Sequence, residues 1–489
     1  MRAGFFRSQE EFVASTDPGY RKLPFRFMRW GDDRVLLSND VGEWTFLSAS
    51  DFDQFVQGRL PHSSEAYGTL KRKHVLADSR STLPLQLLAT KFRTKNAFLE
   101  GFTSLHMFVV TLRCDHSCPY CQVSRVTEDR ERYDMSPETA ERGVEWVFRS
   151  PAPMLKIEFQ GGESLLNFER VQQVVELVEG RNETEKRDVE FVIATNLSQV
   201  TDEILEYCRA HSILLSSSLD GPETLHNLNR PRPGNDSYAR FARNLVRSRE
   251  ALGHDRVAAL MTTTERSLAS PETIVDEYVR FEFPSIFIRP ISPYGFAVRT
   301  KQAYRYQTDA FLEFYKRAFA RVVHWNREGV PIVETYAQLL LRKLLTPFAT
   351  GYVDLQSPAG IGISALVYNY DGDVYASDEG RMLAEMGDTS FRLGSLHSDE
   401  YAEVMGGSYM KGLIAQTCTL SLPQCTECAF LPFCGSDPVY NWATQRDIVG
   451  HRPTSGFCRK HMALFRFFIE CLESDDQFLR ELMVSWATS

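Results

Sequence analysis

The sequence predicts an α/β fold of six β-α units, preceded by a small α/β module and followed by a cysteine-rich region. Three observations carry this. From about residue 105 to 290, short apolar β-branched runs alternate with longer amphipathic stretches, the pattern of a parallel sheet flanked by helices. Upstream, two strand-like runs share a turn-rich connection. Eight of the ten cysteines fall into two groups, at 114–121 and 418–458.

The first strand-like run is Arg34-Val35-Leu36-Leu37-Ser38 and the second Trp44-Thr45-Phe46-Leu47, joined by Asn39-Asp40-Val41-Gly42-Glu43. Ser48 then precedes an amphipathic segment, Asp51 to Gln57, with Phe52, Phe55 and Val56 on one face. The barrel-type strands are expected at Leu105–Leu112, Leu155–Phe159, Val189–Thr195, Ile213–Leu219, Val257–Thr263 and Ser285–Arg289. Ser136-Pro137-Glu138 and Ser270-Pro271-Glu272 mark helix starts, each with a capping hydroxyl, a proline at the first helical position and an acid in the first turn. A further helix, Asp309 to Arg327, links this unit to the C-terminal region. No internal repeat or low-complexity tract stands out.

At 489 residues and a net charge of −9, the chain carries no global basic field, so neither nucleic acid nor a membrane is an expected partner. Residues 1 to 100 differ slightly, with 15 Lys and Arg against 12 Asp and Glu. No apolar run reaches a membrane-spanning length of about 18 residues, and Met1 to Glu10 has no secretory-type apolar core. The expectation is therefore a cytoplasmic protein, in which clustered cysteines are metal or cluster ligands rather than disulfides. Cys208 and Cys471 stand apart and read as small buried apolar residues.

Cys114, Cys118 and Cys121 follow the first barrel strand, at the strand end where α/β barrels place their chemistry. Three local thiolates leave one iron of a [4Fe–4S] cluster open to a non-protein ligand. A zinc site with His116 as fourth donor is the alternative, although His116 lies between the cysteines rather than at the usual zinc-motif spacing. The second group, Cys425, Cys428, Cys434 and Cys458, fits by spacing either a cluster or a tetrahedral zinc site.

Cys114-x3-Cys118-x2-Cys121, with Tyr120 before the last cysteine, resembles the signature of radical S-adenosylmethionine (SAM) enzymes. Phe159-Gln160-Gly161-Gly162-Glu163-Ser164 is similar to that family's Gly-Gly-Glu segment. Glycines there let backbone approach a ligand, and Glu163 can accept hydrogen bonds from an ammonium group. Thr195-Asn196, Ser218-Leu219-Asp220-Gly221-Pro222 and His226-Asn227-Leu228-Asn229-Arg230 resemble segments of its peptide-modifying members. The resemblance implies a partial (β/α)6 TIM-like barrel. Cys114, Cys118 and Cys121 would hold a SAM-binding [4Fe–4S] cluster, and Tyr120, Gln160, Gly161, Gly162, Glu163, Asn196, Ser218 and Arg230 would surround SAM. Ser218 and Arg230 match positions that contact its ribose and carboxylate. Reduction would cleave SAM to methionine and a 5′-deoxyadenosyl radical that abstracts a substrate hydrogen.

The second cysteine group resembles the SPASM extension of radical SAM peptide maturases, which carries two auxiliary clusters. Here Tyr370-Asp371-Gly372-Asp373-Val374-Tyr375 leads to Ala376-Ser377-Asp378 without a thiol, and Asp399 and Pro438 stand where two more cysteines are expected. All three absences concern one cluster. The resemblance thus implies one auxiliary [4Fe–4S] cluster on Cys425, Cys428, Cys434 and Cys458, with Cys418 unassigned.

Phe98 to Cys114, Cys121-Gln-Val-Ser124, Tyr375-Ala-Ser-Asp-Glu379, Cys434-Gly-Ser-Asp-Pro438 and Gly450-His-Arg-Pro453 look like the His-Xaa-Ser system radical SAM maturase. That resemblance implies modification of a ribosomal precursor peptide with His-Xaa-Ser repeats, a reductant such as flavodoxin or ferredoxin, and a second radical SAM protein as partner. Residues 24 to 77 resemble a winged-helix-like peptide-recognition module that captures a leader by strand addition, and Lys71-Arg72-Lys73 would attract an acidic leader. The same fold hairpin also serves as a stabilising appendage. The expected organisation is a recognition module at 1–97, a core barrel at 98–300, a helical bridge at 301–360 and a SPASM-like domain at 361–489. Glu163, Asp220 and Asp378 are candidate proton acceptors. Sulfatase-maturase-like modification of a folded protein, action on a small molecule, and a zinc-stabilised non-enzymatic peptide-binding scaffold are the alternatives.

Overall fold

A computed structural model describes residues 19–78, 81–123, 125–126 and 128–489. Ser124 and the first 18 residues, including the Met1–Glu10 segment, lie outside the described residues.

The N-terminal module contains β1 (Tyr20–Lys22), β2 (Arg26–Trp30), β3 (Arg34–Ser38), β4 (Trp44–Ser48) and β5 (Leu76–Asp78). Strands β2, β3 and β4 form an antiparallel meander, and β1 pairs with β5. Ser48 caps the helix Ala49–Val56 by accepting from the Asp51 amide at 3.0 Å. Of the expected apolar face, Phe52 and Phe55 are buried, whereas Val56 is exposed because it lies in the last turn, at the solvent edge. Strand β3 is buried on both sides. Val35 and Leu37 point into the module's own core, while Leu36 joins Trp30 in the core of the main body. The module is therefore anchored: Ser38 Oγ donates to Ala429 O at 2.6 Å, and Trp44 Nε1 donates to Leu344 O at 3.1 Å.

The central sheet holds β6 (Leu105–Thr111), β7 (Met154–Gly161), β8 (Asp188–Ala194), β9 (Leu214–Ser218) and β10 (Val257–Leu260), all parallel. These are the first five expected strands, within a few residues. The sixth departs from expectation. Strand β11 spans only Ser285–Ile286 and pairs with β12 (Val333–Glu334) in a separate two-stranded sheet. Prolines at 284 and 290 lack the N–H that a longer ladder needs. The Thr263–Pro290 bridge and the Thr263 N–Arg289 O bond of 2.9 Å tie this segment back to the end of β10.

On its other edge, the sheet continues through β13 (Ala365–Tyr368), β14 (Asp373–Tyr375) and β15 (Arg392–Ser395). β13 lies parallel to β6, so the C-terminal region extends the central sheet. Ser136 caps its helix as expected, accepting from Thr139 N at 3.1 Å. Ser270 makes no such cap bond, because it follows directly on the 3-10 turn Glu265–Ala269. The helix Thr308–Arg327 packs against Pro271–Arg280 and Gly456–Leu472, carrying a buried face that includes Phe311, Tyr315 and Phe319. Cys208 is fully buried, while Cys471 is half-buried at the margin of the same core. Among the described residues, no helix is long and apolar enough to cross a membrane.

Candidate functional site

The C-terminal ends of β6 to β10 open onto a cavity of about 440 Å³. Cys114, Cys118 and Cys121 line it, brought there by the loop that leaves β6. Local chemistry fixes that loop. Arg113 Nε and Nη2 clamp Asp134 at 2.7 Å each, and Cys114 N donates to Val126 O at 3.1 Å. On the far side, Gly295 packs against the loop; a Cβ there would sit 2.1 Å from Gln122 O.

Gly161 and Gly162 line the cavity too, but the tightest demand for glycine comes from the protein itself. A Cβ on Gly161 would lie 2.0 Å from Thr111 O, and one on Gly162 would lie 2.2 Å from Arg113 O. Both carbonyls accept hydrogen bonds from this turn, from Gly162 N at 2.9 Å and Glu163 N at 2.8 Å. The glycines thus let β7 close against the root of the cysteine loop. Replacing Gly162 with Ala is expected to destabilise the chain by about 1–3 kcal/mol, as forced backbone shifts do. An unchanged urea midpoint would contradict that packing.

The Glu163 carboxylate is fully buried: Oε1 accepts from Thr195 Oγ1 at 2.7 Å and Leu165 N at 3.1 Å, and Oε2 from Asn196 N at 2.7 Å. It therefore stitches the end of β7 to the end of β8. Burial lifts its pKa to about 7 despite those donors.

Asp220 is likewise a holding group. Fully buried, it accepts from Tyr120 OH at 2.6 Å, and its two oxygens lie 3.1 Å from Arg230 Nη2 and Nε. Arg230 reaches the cavity wall with its guanidinium carbon 5.6 Å from the centre of the Tyr120 ring. Gln160, Asn196, Ser218 and Asp378 also line the cavity, so of the three candidate acids only Asp378 faces it. Asp378 is paired with Arg381 Nε at 2.9 Å.

Two groups escaped the sequence reading. Asp115 gathers Asn196 Nδ2 (2.9 Å), Ser198 Oγ (2.5 Å) and Gln199 Nε2 (3.0 Å), fastening the cysteine loop to the end of β8. Asp354, Glu379, Asp437 and Lys460 line the same cavity as the cysteines. Burial raises all three carboxyls, and repulsion from Asp354 adds to the effect at Glu379 and Asp437. These residues lie far apart in sequence; Glu379 and Asp437 belong to the segments Tyr375–Glu379 and Cys434–Pro438, but nothing along the chain marks their convergence with Asp354.

His116 fills its ring nitrogens within the protein, Nδ1 with Asp115 at 2.9 Å and Nε2 with Ser237 at 2.8 Å. Among the described residues, the group of donors whose ligand atoms all lie within 4.8 Å of one another is Cys114, Asp115 and His116, not a set of thiols. The three thiols that line the one cavity are a donor set that an iron–sulfur cluster or a single thiophilic ion takes. Burial pushes the Cys118 thiol up to about 12.

The second group behaves as expected in its grouping. Cys425, Cys428, Cys434 and Cys458 line one mainly apolar cavity of about 340 Å³, whose wall includes Phe27 and Met28 of β2. Burial and the neighbouring thiols raise Cys434 to about 12 and Cys458 to about 11. Cys418 ends the helix Ser408–Thr417 and does not line that cavity.

Comparison with known proteins places this geometry. Residues 108–268 match the model of the radical SAM superfamily. The chain is 28% identical over 157 residues to the radical SAM cyclopropyl synthase TigE of Paramaledivibacter caminithermalis, covering 29% of this chain and 31% of that protein. It is 26% identical over 121 residues to a serine-type anaerobic sulfatase-maturating enzyme of Bacteroides thetaiotaomicron, covering 24% of this chain and 28% of the relative. The chain thus spans about a third of the length of these relatives.

Solved structures share the fold over more of the molecule. anSMEcpe with bound AdoMet superposes with a TM-score of 0.63 at 17% identity, covering 78% of this chain and 99% of that one. Streptococcus suis SuiB bound to precursor peptide SuiA gives 0.52 at 14% identity, covering 88% and 98%.

Proposed function

We propose, from the premise that residues 108–268 belong to the radical SAM superfamily, that this chain is an enzyme that modifies a ribosomally made peptide. The observation that carries the reading is the placement of Cys114, Cys118 and Cys121 on one cavity wall at the C-terminal end of the parallel sheet. There they would hold a [4Fe–4S] cluster with an open iron, and Tyr120, Gln160, Gly161, Gly162, Glu163, Asn196, Ser218 and Arg230 would surround SAM. When bound, that pair supplies the 5′-deoxyadenosyl radical that takes a hydrogen atom from the substrate.

The chain's own residues orient and shield. Asp220 keeps the Arg230 guanidinium aimed along the wall beside Tyr120, where it would meet the SAM carboxylate. Asp378 stands in the cavity as the acid that would accept a proton from an oxidised substrate. Cys425, Cys428, Cys434 and Cys458 would hold one auxiliary [4Fe–4S] cluster, closed by four protein ligands and suited to electron transfer.

A peptide substrate is supported by the similarity in fold to SuiB, solved with its precursor peptide SuiA. We assign the His-Xaa-Ser maturase subtype, with its repeat-bearing peptide, second radical SAM partner, flavodoxin- or ferredoxin-type reductant and cytoplasmic setting, to the same reading. The N-terminal meander, with β2 and β4 as its edges, would dock the leader. Modification of a folded protein is the second reading, favoured by the similarity to a sulfatase-maturating enzyme.

Co-expression with a small peptide bearing His-Xaa-Ser repeats, followed by mass measurement, tests the proposal. The expected result is a peptide about two mass units lighter per event, for two hydrogens lost. An unaltered peptide, with a co-expressed sulfatase modified instead, would overturn it in favour of the second reading.

A further inference from the structure

The inference concerns Arg452 and rests on the auxiliary-cluster reading above. Arg452 belongs to the wall of the cavity lined by the four C-terminal thiols. Its Nε donates to Cys425 Sγ at 3.2 Å. Its Nη2 is buried with no hydrogen-bond partner among the described residues. An orphan buried donor is costly, more so when charged, and Phe430, Leu431 and Phe457 on the same wall offer no side-chain acceptor. An anionic sulfur framework inside the cavity would satisfy that donor.

Three other cations act on these thiols, Arg26, Lys343 and Lys460. Arg26 Nε donates to Thr426 O at 2.6 Å, Lys343 Nζ donates to Leu355 O, and Lys460 also interacts with Asp354 and Asp437. None of the three forms a hydrogen bond to sulfur among the described residues. Arg452 is thus set apart by a direct N–H to a ligand thiolate together with a second N–H held in reserve.

We propose that Arg452 tunes the auxiliary cluster, donating to the Cys425 thiolate and to a cluster sulfide so that the reduced form is favoured. The physical reason is charge. Reduction adds one electron to an assembly that is already anionic and poorly solvated, so a fixed cation and its hydrogen bonds stabilise the reduced state more than the oxidised one. The midpoint potential rises accordingly, and no proton needs to move.

The test uses the full chain with the first site removed by C114A, C118A and C121A, reconstituted anaerobically and titrated with dithionite under EPR. Iron at about four per chain establishes the cluster; zinc, or no metal, would overturn the cluster reading and this inference with it. With the cluster present, R452Q is expected to shift the midpoint negative, and R452K, which keeps the charge but loses the planar fork, to fall between. A folded R452Q that keeps its iron and an unchanged midpoint would overturn the tuning role. Should R452Q fail to assemble the cluster, labelling the Arg452-containing protein with [15N]arginine decides. A nitrogen coupling to the reduced cluster is expected, and its absence would overturn the proposal.

Discussion

Removing all three loop thiols by C114A, C118A and C121A is expected to abolish SAM cleavage and halve the iron, from about eight to about four atoms per reconstituted chain. The effect is all-or-none because an open-iron cluster needs each of its three protein ligands, and no other described cysteine lines the cavity. Colorimetric iron assay and EPR provide the check. Retention of eight irons in the variant would mean that the loop cysteines hold none. A start at twelve in the wild type would mean a third cluster, against the loss read from Ala376, Asp399 and Pro438.

The second large effect belongs to Asp220. Its carboxylate is the counter-charge for a buried guanidinium and the acceptor for Tyr120 OH, with Thr262 N contributing a further bond at 3.3 Å. Asp220→Asn leaves Arg230 charged and unpaired in a buried setting, a loss of about 3–5 kcal/mol by comparison with other broken buried pairs. Chemical denaturation reads the stability change. Because Arg230 would also lose its aim, the reconstituted variant should bind SAM more weakly, while 5′-deoxyadenosine, which lacks the carboxylate, loses less. Equal weakening of both ligands would remove the proposed link from Asp220 through Arg230 to a carboxylate.

Much of this architecture was legible because strands β6 to β10 are built from apolar β-branched runs that announce themselves locally. The sixth strand was overextended because Phe287, Ile288 and Arg289 read as strand, while the prolines at 284 and 290 limit its ladder. No local signal places β13 beside β6. Ala365–Tyr368 is simply another apolar run, and its parallel pairing joins residues some 260 positions apart. The cysteine groups were legible for the opposite reason, since their chemistry lies in spacing along the chain.

The candidate acids mark the limit. Glu163 and Asp220 sit in suggestive turns, yet each is turned inward by several donors that only the folded chain assembles. Conversely, Glu379 and Asp437 lie in segments quoted for their resemblance, yet the cavity wall they share with Asp354 exists only after β13–β15 and the helix Pro438–Gln445 have packed. A glycine pair was readable as special, but the carbonyls that require it, from Thr111 and Arg113, were not.

The claim on which the account turns is that the cavity beside Cys114, Cys118 and Cys121 cleaves SAM. Anaerobically reconstituted wild-type chain, incubated with SAM and dithionite and analysed by liquid chromatography, should release 5′-deoxyadenosine together with methionine. Protein that carries its iron under those conditions and yields no 5′-deoxyadenosine would contradict the account.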